Sequence, residues 1–516
     1  MAQLSRRDFL KLMAVSSAGV AISAKQPFLD SLHTQVSPKP NILIFVLDAM
    51  SARHLSFYGY QRETTPNLAQ FASHAHVYHS HYSTANFTSA GTATLLSGLH
   101  PWNHRAINLG GLVHKDFVDY NIFRLIGNEY HRVAFTQNPW ADLLLRQYRN
   151  DLDKHVPVTS FSYKTKRPMI SPFVPSDQIT TYYAYDEFLS FTDKRLNPLP
   201  GSLLLGSLGV LDEQSTGGLK NPSDEYPVGM PSNALYYYFH NDEVYAGVSE
   251  ILQNSVNTLR PVLGYFHLFA PHGPYCPHKE FVDTFPEINV PRKSPHPLAI
   301  AELSPEALYI QRKHYDEYLA NVDAEFGKMM DMLEKAGILE NSYVVITSDH
   351  GEGFERGEFG HGTYLLYDPV IHIPLIISAP GQKERFDVFS PTSSTDIMPT
   401  LLSLAGKDIP SGLERRVLPG LGGTENFQRS IFALEAKENS AFQPITKATM
   451  ALIKDGKKLI YYTGYDEYPE VFELYDLVHD IEETRDLFLE DAVTAARMKE
   501  ELLDALANAN RSFTNK

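Results

Sequence analysis

Three apolar runs in this chain each end in side chains that bind metals or carry protons. The runs cover residues 42–47, 261–269 and 342–347, and the polar side chains that follow are Asp48, His272, Asp349 and His350. Uninterrupted apolar runs of this length are typical of strands buried in parallel sheets. Because open α/β sheets place ligand sites at the carboxyl ends of their strands, we expect these side chains to converge although they span about 300 positions of sequence.

Strand and helix patterns alternate over most of the chain. Thr65-Pro66 is typical of a helix N-terminus, with Thr65 as N-cap and proline at the first position. Further helices are predicted after Thr88, over 308–336 and over 396–404, and further strands over 132–135 and 374–378. This alternation predicts an α/β fold with a largely parallel sheet flanked by helices.

Two regions depart from that alternation. Residues 141–260 are rich in Tyr, Pro, Ser and Gly with weak periodicity, which predicts insertions that shape a substrate cleft. Residues 407–516 predict a smaller C-terminal α+β subdomain, in which 450–462 form a hairpin that turns at Asp455-Gly456.

Composition narrows the functional classes. The 516 residues carry a formal net charge of −16, which argues against a nucleic-acid-binding protein, since such proteins need cationic groups against phosphates. A single cysteine, Cys276, excludes an internal disulfide, a cysteine-based zinc site and an iron–sulfur cluster. No internal apolar run is long enough for a transmembrane helix, so we predict no integral membrane segment.

The first 24 residues have the pattern of an export signal. Residues 5–11, Ser-Arg-Arg-Asp-Phe-Leu-Lys, precede a mildly apolar stretch over 12–24, and this arrangement resembles a twin-arginine signal peptide with cleavage after Ala24. An amphipathic helix with an incidental arginine pair is the alternative. The signal predicts contact with the twin-arginine export machinery, a periplasmic or extracellular location and a bacterial or archaeal source; residues 25–39 would then be a linker.

Several motifs together resemble the sulfatase-like family of the alkaline phosphatase superfamily. They are Pro40-Asn41-Ile42 leading to Asp48, Tyr58-Gly59-Tyr60 before Thr65-Pro66-Asn67-Leu68, Thr347-Ser348-Asp349-His350-Gly351-Glu352, Gly360-His361-Gly362, the helix 396–406 and Glu473-Leu474-Tyr475-Asp476-Leu477. The resemblance implies an alkaline-phosphatase-like catalytic domain over 40–406 and a C-terminal subdomain over 407–516. It is specific for the superfamily and does not identify a substrate.

The nucleophile position distinguishes branches of that superfamily. Sulfatases carry Cys or Ser in a Cys/Ser-x-Pro-x-Arg motif that is converted to formylglycine, whereas counting back from Leu95-Leu96-Ser97-Gly98 places Thr88 there, with Ala90 and Thr92 at the Pro and Arg positions. Thr88 resembles the threonine nucleophile of the superfamily's phosphodiesterases and head-group transferases. The alternative for Thr88 is a helix N-cap. The Lys-x-His pair of sulfatases is replaced by Gln137-Asn138-Pro139, which removes two cations.

The resemblance also implies a ligand set. Asp48, Thr88, Asp349 and His350 would bind one divalent metal ion, with Zn²⁺ or Mn²⁺ favoured by the histidine and Mg²⁺ or Ca²⁺ possible. His272 is predicted to be catalytic and to bind substrate, with a loop histidine bonded to backbone as the alternative. Asn86 is predicted to bind substrate, and His361 to bind a substrate oxygen or a second metal. We assign His267 and His278 to packing or loop structure and Asp323 to a structural role.

Three functions remain open at this stage. The first is an exported, metal-dependent hydrolase that cleaves a phosphate ester, or less favourably a sulfate ester, of a small molecule, glycan or lipid. The second is a transferase that moves phosphoethanolamine or phosphoglycerol to an envelope acceptor. The third is a non-catalytic binding protein with the same fold.

Overall fold

The structure is a computed structural model that describes residues 39–165, 211, 224–233, 237–256, 259–301, 303–466 and 468–514. The predicted signal peptide, nearly all of the linker and part of the 141–260 insertions lie outside the described residues. Those predictions therefore stay predictions.

The described strands are short and mostly buried. They are β1 Asn41–Leu47, β2 His76–Tyr78, β3 His81–Tyr82, β4 His131–Thr136, β5 Lys154–His155, β6 Lys164–Thr165, β7 Tyr237–Tyr238, β8 Val262–Leu268, β9 Ser342–Thr347, β10 Leu375–Ser378, β11 Phe386–Val388, β12 Thr392–Ser393, β13 Ile431–Glu435, β14 Ala448–Lys454, β15 Lys457–Thr463 and β16 Glu470–Asp476.

The described helices alternate with the strands of the first two thirds of the chain. They are α1 Pro66–Ala72, α2 Thr88–Ser97, α3 Pro101–His104, α4 Ile122–Ile126, α5 Pro139–Gln147, α6 Asn241–Val256, α7 Pro305–Lys335, α8 Asp368–Ile371, α9 Ile397–Leu404 and α10 Ala492–Thr514. None of these described helices combines the length and apolar character that crossing a bilayer requires.

Eight strands form the central sheet, in the order β11-β2-β10-β9-β1-β8-β4-β5. Only β10 runs antiparallel to its neighbours β9 and β2. The three strands predicted to end in chemically active side chains are adjacent: β1 pairs in parallel with β8 on one side and with β9 on the other. The prediction of a largely parallel sheet is confirmed.

Alternate side chains of β1 pack into different layers, as the two-residue period of a strand requires. Leu43, Phe45 and Leu47 lie in a core closed by α1, α6 and α7. Ile42, Ile44 and Val46 lie in a second core closed by α2, α4, α5 and α9. Helices therefore cover both faces of the sheet, and β1 is buried on both sides.

The C-terminal residues form a second, antiparallel sheet in the order β13-β14-β15-β16. Apolar residues of α10, such as Met498 and Leu502, pack on it. The predicted hairpin is confirmed, because β14 and β15 pair antiparallel and Asp455 and Gly456 both have positive φ, at 53° and 71°. Two consecutive left-handed residues are typical of a type I′ turn, which favours Asp-Gly.

The N-terminus of α1 is capped differently from the prediction. Thr65 occupies the N-cap position, but its side chain makes no capping hydrogen bond. Instead, the carboxylate of Asp323 on α7 accepts hydrogen bonds from the backbone amides of Asn67 and Leu68, each at 2.8 Å. The first turn of α1 is thus satisfied by a side chain more than 250 residues away, and Asp323 is structural, as expected.

Candidate active site

The polar side chains that follow the central strands meet at one edge of the sheet. Asp48 follows β1, Asp349 and His350 follow β9, and each is fully buried. Nε2 of His350 lies 3.5 Å from Oδ1 of Asp48 and 3.5 Å from Oδ2 of Asp349. The convergence expected from the parallel sheet is therefore present.

Backbone contacts orient these side chains. Oδ1 of Asp349 accepts the amide hydrogens of His350 and Ala49, at 3.1 and 3.4 Å, so that its other oxygen faces Asp48. Nδ1 of His350 donates to the carbonyl of Gly351 at 2.9 Å, which leaves Nε2 toward the two carboxylates. The loop after β9 thus presents one oxygen and one nitrogen to a common point.

His267, which the sequence analysis assigned to packing or loop structure, lies in the same cluster. It lies in β8, is fully buried, and places Nε2 3.2 Å from Oδ2 of Asp48 and 3.7 Å from Oδ2 of Asp349. One ligand atom from each of these three residues lies within 4.8 Å of the others. The sequence signal for this position was a polar side chain near the carboxyl end of an otherwise mostly apolar buried strand.

The cluster fits a bound cation. Oδ1 of Asp48, Oδ2 of Asp349 and Nε2 of His267 are buried and have no hydrogen-bonding partner among the described residues. Buried acceptor atoms without partners are costly, and two carboxylates that face each other repel. A divalent cation would satisfy all three atoms and neutralise both acids. Carboxylate oxygens with imidazole nitrogens form a donor set that suits first-row transition metals.

The histidines also hold the carboxylate of Asp48 in its charged form. Burial alone would raise the pKa of Asp48, but His272, His267 and His350 outweigh burial and keep this pKa below its usual range. Burial likewise acts to lower the pKa of His267, and the carboxylates of Asp349 and Asp48 reverse that effect. The histidines and carboxylates of the site therefore stabilise one another's charges even without a cation.

Thr88 is the first residue of α2 rather than its N-cap, which is Phe87. Its side chain is buried, and Oγ1 lies 3.3 Å from Nε2 of His350. A hydroxyl at a helix N-terminus lies among unpaired backbone amides that favour anionic oxygens. The nucleophile predicted from the sequence thus lies beside the predicted metal ligands.

Close packing fixes α2 against the loop after β9. A Cβ atom built on Gly91 would lie 2.3 Å from the backbone oxygen of Asp349. Oγ of Ser83 donates to that same oxygen at 2.6 Å. No side chain fits between α2 and Asp349, so the glycine sets the separation of the hydroxyl from the carboxylate.

Asn138 is a residue of the site that the sequence analysis named only as the middle position of Gln137-Asn138-Pro139. It is the N-cap of α5, and its Oδ1 accepts the amide hydrogen of Trp140 at 2.8 Å. This bond directs Nδ2 into the site, where it lies 2.5 Å from Oδ2 of Asp48 and 3.2 Å from Oγ1 of Thr88. The Asn-Pro pair at a helix start was the sequence signal.

His272 and His361 lie next to each other at the mouth of this cluster, with ring centroids 4.5 Å apart. Nδ1 of His272 donates to the carbonyl of Gly273 at 2.7 Å, and burial lowers the pKa of His272, so Nε2 is left as an unprotonated acceptor. Nδ1 of His361 lies 2.8 Å from Oε1 of Glu352, and the ring centroids of His361 and His350 are 4.2 Å apart.

Glu352 is a second residue that the sequence analysis quoted only as part of a motif. It is fully buried, and burial raises the pKa of its carboxyl group to about 7. Burial also lowers the pKa of His361 to about 3. A neutral His361 whose ring is oriented by Glu352 fits a residue that contacts substrate.

Asn86 lies near the cluster, and both hydrogens of its side-chain amide are already donated to backbone carbonyls. Nδ2 donates to the carbonyls of Thr363 and Leu365, at 2.9 and 3.0 Å. Only its buried Oδ1 has no partner among the described residues. Substrate binding by Asn86 stays a prediction, and the geometry limits it to accepting a hydrogen bond. His278 lies outside the cluster, where its backbone amide donates to Asn321.

Comparisons with known proteins agree with this arrangement. The sulfatase family model matches residues 40–407, and a second model, "N-sulphoglucosamine sulphohydrolase, C-terminal", matches 357–511. Arylsulfatase K of Danio rerio is 32% identical over 170 residues, which are 32% of this chain and 31% of that protein, so the match spans under a third of its length. N-acetylgalactosamine-6-sulfatase of Rattus norvegicus is 22% identical over 431 residues, 79% of this chain and 70% of that protein.

A solved structure shares the fold over nearly the whole chain. Phosphonate monoester hydrolase SpPMH from Silicibacter pomeroyi superposes with a TM-score of 0.64 at 20% identity and covers 92% of this chain and 96% of that one. Together with the central sheet and the C-terminal subdomain, this confirms the predicted alkaline-phosphatase-like fold class. Because the family model covers most of the sequence, the chain belongs to the sulfatase family.

Proposed function

We propose that this protein is an exported, metal-dependent hydrolase that cleaves a phosphate ester through a threonine nucleophile. The observation that carries the proposal is the position of Thr88. Its Oγ1 begins α2, lies 3.3 Å from Nε2 of His350 and 3.2 Å from Nδ2 of Asn138, and adjoins the carboxylates of Asp48 and Asp349. A hydroxyl in that position is oriented for attack.

Asp48, Thr88, Asp349 and His350 would hold one divalent metal ion, with Zn²⁺ or Mn²⁺ favoured over Mg²⁺ or Ca²⁺ by the donor set. When bound, such an ion lowers the pKa of a hydroxyl and neutralises charge on an anionic ester. The two partnerless oxygens of Asp48 and Asp349 support this assignment.

The side chains of the chain account for the remaining chemistry. In the first half, Oγ1 of Thr88 bonds to phosphorus, the ester P–O bond breaks, and Nε2 of His272 passes the hydroxyl proton to the departing oxygen. The backbone amides at the start of α2 stabilise the anionic oxygens. In the second half, water attacks the threonine ester, His272 carries the proton to Oγ1, and phosphate leaves.

Phosphate is favoured over sulfate for a chemical reason. A threonine hydroxyl has no route to the formylglycine used by sulfatases, so it attacks directly and leaves an ester that water must cleave. Phosphoryl groups carry more negative charge than sulfuryl groups, and a cationic site therefore gains more by neutralising them. His361 and His272 would contact the substrate oxygens.

Sulfate-ester hydrolysis is the second candidate, because the family model and both curated relatives are sulfatases. The phosphonate monoester hydrolase is a structural neighbour and indicates only that the fold is shared. In either case we propose an anionic small-molecule, glycan or lipid ester as substrate, and delivery to the periplasm or exterior by the twin-arginine machinery through residues 1–24.

The proposal is tested with purified protein stripped by a chelator and reloaded with Zn²⁺, Mn²⁺, Mg²⁺ or Ca²⁺. Each form is assayed on matched aryl phosphate monoesters, phosphodiesters, phosphonates and sulfates, and quenched reactions are digested to locate a covalent adduct by mass spectrometry. A phosphoryl group on Thr88 during turnover is expected. Ser97→Ala is the matched control, because Ser97 lies on the same helix and bonds only to backbone groups. Sulfate turnover without an adduct on Thr88 would overturn the proposal.

A further inference from the structure

We infer that His267 is an additional metal ligand, so that the ion is held by two imidazole nitrogens together with the oxygens of Asp48, Asp349 and Thr88. This inference rests on the metal site of the proposed function and adds a ligand from the middle strand of the three. The family resemblance assigns no role to position 267, which the sequence analysis placed among packing residues.

The separations between the candidate ligand atoms match those around one ion. Two adjacent ligand atoms about 2.1 Å from one zinc ion lie about 3.0 to 3.4 Å apart. Nε2 of His267 lies 3.2 Å from Oδ2 of Asp48 and 3.7 Å from Oδ2 of Asp349. For His350 the distances are 3.5 Å to Oδ1 of Asp48 and 3.5 Å to Oδ2 of Asp349. The two histidines therefore approach the same oxygen of Asp349 and different oxygens of Asp48.

The environment of the other ring nitrogen is compatible with the tautomer that metal binding needs. Nδ1 of His267 lies 3.3 Å from the hydroxyl of Tyr265 and 3.5 Å from Oγ1 of Thr92. Both hydroxyls can accept its hydrogen. Ligating histidines commonly donate their second N–H in this way, which orients the ring and leaves the opposite lone pair for the metal. Thr92 is one turn after Thr88 on α2, so the same helix would supply both the nucleophile and this support.

A packing role does not explain the ring. His267 is fully buried, and its Nε2 has no hydrogen-bonding partner among the described residues. Its neighbours Tyr265, Leu268 and Phe266 in β8 show that the strand accepts apolar and aromatic side chains. The competing role is a protonated imidazolium that pairs with Asp48 and Asp349 in place of a cation. The two roles differ in a measurable quantity, the number of imidazoles bound to the metal.

A second nitrogen ligand has a consequence for metal choice. Ca²⁺ and Mg²⁺ prefer all-oxygen ligand sets, whereas imidazole suits Zn²⁺ and other first-row transition ions. Replacement of His267 by an oxygen-bearing side chain should therefore narrow the preference for Zn²⁺ over Ca²⁺. It should not abolish binding, because Asp48, Asp349 and His350 remain.

The experiment measures metal binding directly. Chelator-stripped wild-type protein and the His267→Gln variant are titrated with Zn²⁺ and Ca²⁺ against a chromophoric chelator, and X-ray absorption at the zinc edge counts the imidazole ligands. We expect two imidazoles in the wild type and one in His267→Gln, with Zn²⁺ affinity at least about tenfold lower and Ca²⁺ affinity unchanged or higher. His278→Gln is the matched control and should behave as wild type.

A supporting variant covers the case in which His267→Gln does not fold. Tyr265→Phe keeps the ring of His267 but removes a hydrogen-bond acceptor from its Nδ1, and about tenfold weaker Zn²⁺ binding with two imidazoles retained is expected. A single imidazole in the wild type, or unchanged Zn²⁺ affinity in His267→Gln, overturns the inference while leaving the proposed hydrolase intact. Wild-type protein that binds no divalent metal overturns the proposed function itself.

Discussion

Nδ2 of Asn138 lies 3.2 Å from Oγ1 of Thr88 and 2.5 Å from Oδ2 of Asp48. A neutral amide thus faces both Thr88 and Asp48, and its orientation is set by the helix that it caps. Since Oδ1 is committed to the amide hydrogen of Trp140, only the NH₂ group faces the site. Capping of α5 and the arrangement of the nucleophile are therefore two functions of one side chain.

Asn138→Asp separates these two functions. Aspartate caps helices about as well as asparagine, so α5 should keep its N-cap. A third carboxylate beside Asp48 should displace the nucleophile and lower kcat/KM by at least about tenfold, or roughly 1.4 kcal/mol. Asn138→Ser, which also caps but removes the amide without adding charge, is the control and should retain more activity. Wild-type activity in Asn138→Asp would contradict a role for this amide at Thr88.

Substitutions of Thr88 test the nucleophile. Thr88→Ala should lose nearly all turnover while it retains its metal through the two acids and the histidines, and Thr88→Ser should keep part of the activity because the hydroxyl remains. In the wild type, phosphate esters should be cleaved at least about tenfold faster than matched sulfates, about 1.4 kcal/mol in barrier. Steady-state kinetics and metal analysis check both statements. A sulfate preference, or a Thr88→Ala protein near the wild-type rate, would contradict them.

Asp349→Ala and His350→Ala test the metal ligands. Each change removes one of a small number of ligand groups, so the metal affinity should fall and activity should be lost. The strands that carry them should still form, because Asp349 and His350 lie after β9 and not within it. Elemental analysis measures the metal and circular dichroism the fold. Full metal occupancy in both folded variants would exclude this site.

Asp323 gives the stability a pH dependence. Burial raises the pKa of Asp323 to about 6, so the folded protein binds this proton more tightly than the unfolded chain does. The stability that this proton contributes is complete below about pH 4 and is lost as the pH rises through about 6, and the free energy of unfolding falls accordingly.

Urea unfolding at pH 4.5 and pH 7 measures this effect. Between pH 4.5 and pH 7, the free energy of unfolding of the wild type should fall by about 2 kcal/mol relative to that of Asp323→Asn. Asp331→Asn, at an exposed position of the same helix, controls for the loss of one carboxylate. Equal pH dependence in the wild type and Asp323→Asn would show that Asp323 is not the group responsible.

Export depends on the paired arginines if the N-terminus is a twin-arginine signal. Arg6→Lys combined with Arg7→Lys should keep the protein in the cytoplasm, because the pathway requires the arginine pair and lysine preserves only the charge. Cell fractionation in a host with this pathway gives the measurement. Lys11→Arg is the control and should be exported. Normal export of the double variant would rule out this route.

Much of the fold could be predicted from the sequence because β1, β8 and β9 are buried on both faces and therefore appear as mostly apolar runs. Their polar ends predicted the location of Asp48, Asp349 and His350 correctly. The contributions of His267 and Asn138 to the site were harder to predict from the sequence. His267 lies inside a strand pattern that also contains aromatic residues. Its contacts with Asp48 and Asp349 join it to residues far away in sequence.

Capping shows the same limit. Local sequence placed Thr65 at the N-cap of α1, yet the groups that satisfy the first turn come from Asp323 on α7. Asn138 was named only within the segment that replaces the Lys-x-His pair, since local sequence gives no indication of what its amide will face. Propensity and periodicity identify elements, whereas long-range pairing decides which side chain completes a turn or a site.

The order of the central strands also governs when the site can exist. β1 and β9 are neighbours in the sheet, but Asp48 and Asp349 are separated by about 300 residues of chain. At 5–20 residues per second, a ribosome needs roughly 15 to 60 s to add the second acid after the first. A nascent chain that ends before β9 lacks Asp349 and His350, so its set of candidate metal ligands is incomplete. Loading of the proposed metal ion would therefore belong to the last stage of biosynthesis, when most of the polypeptide has already been made.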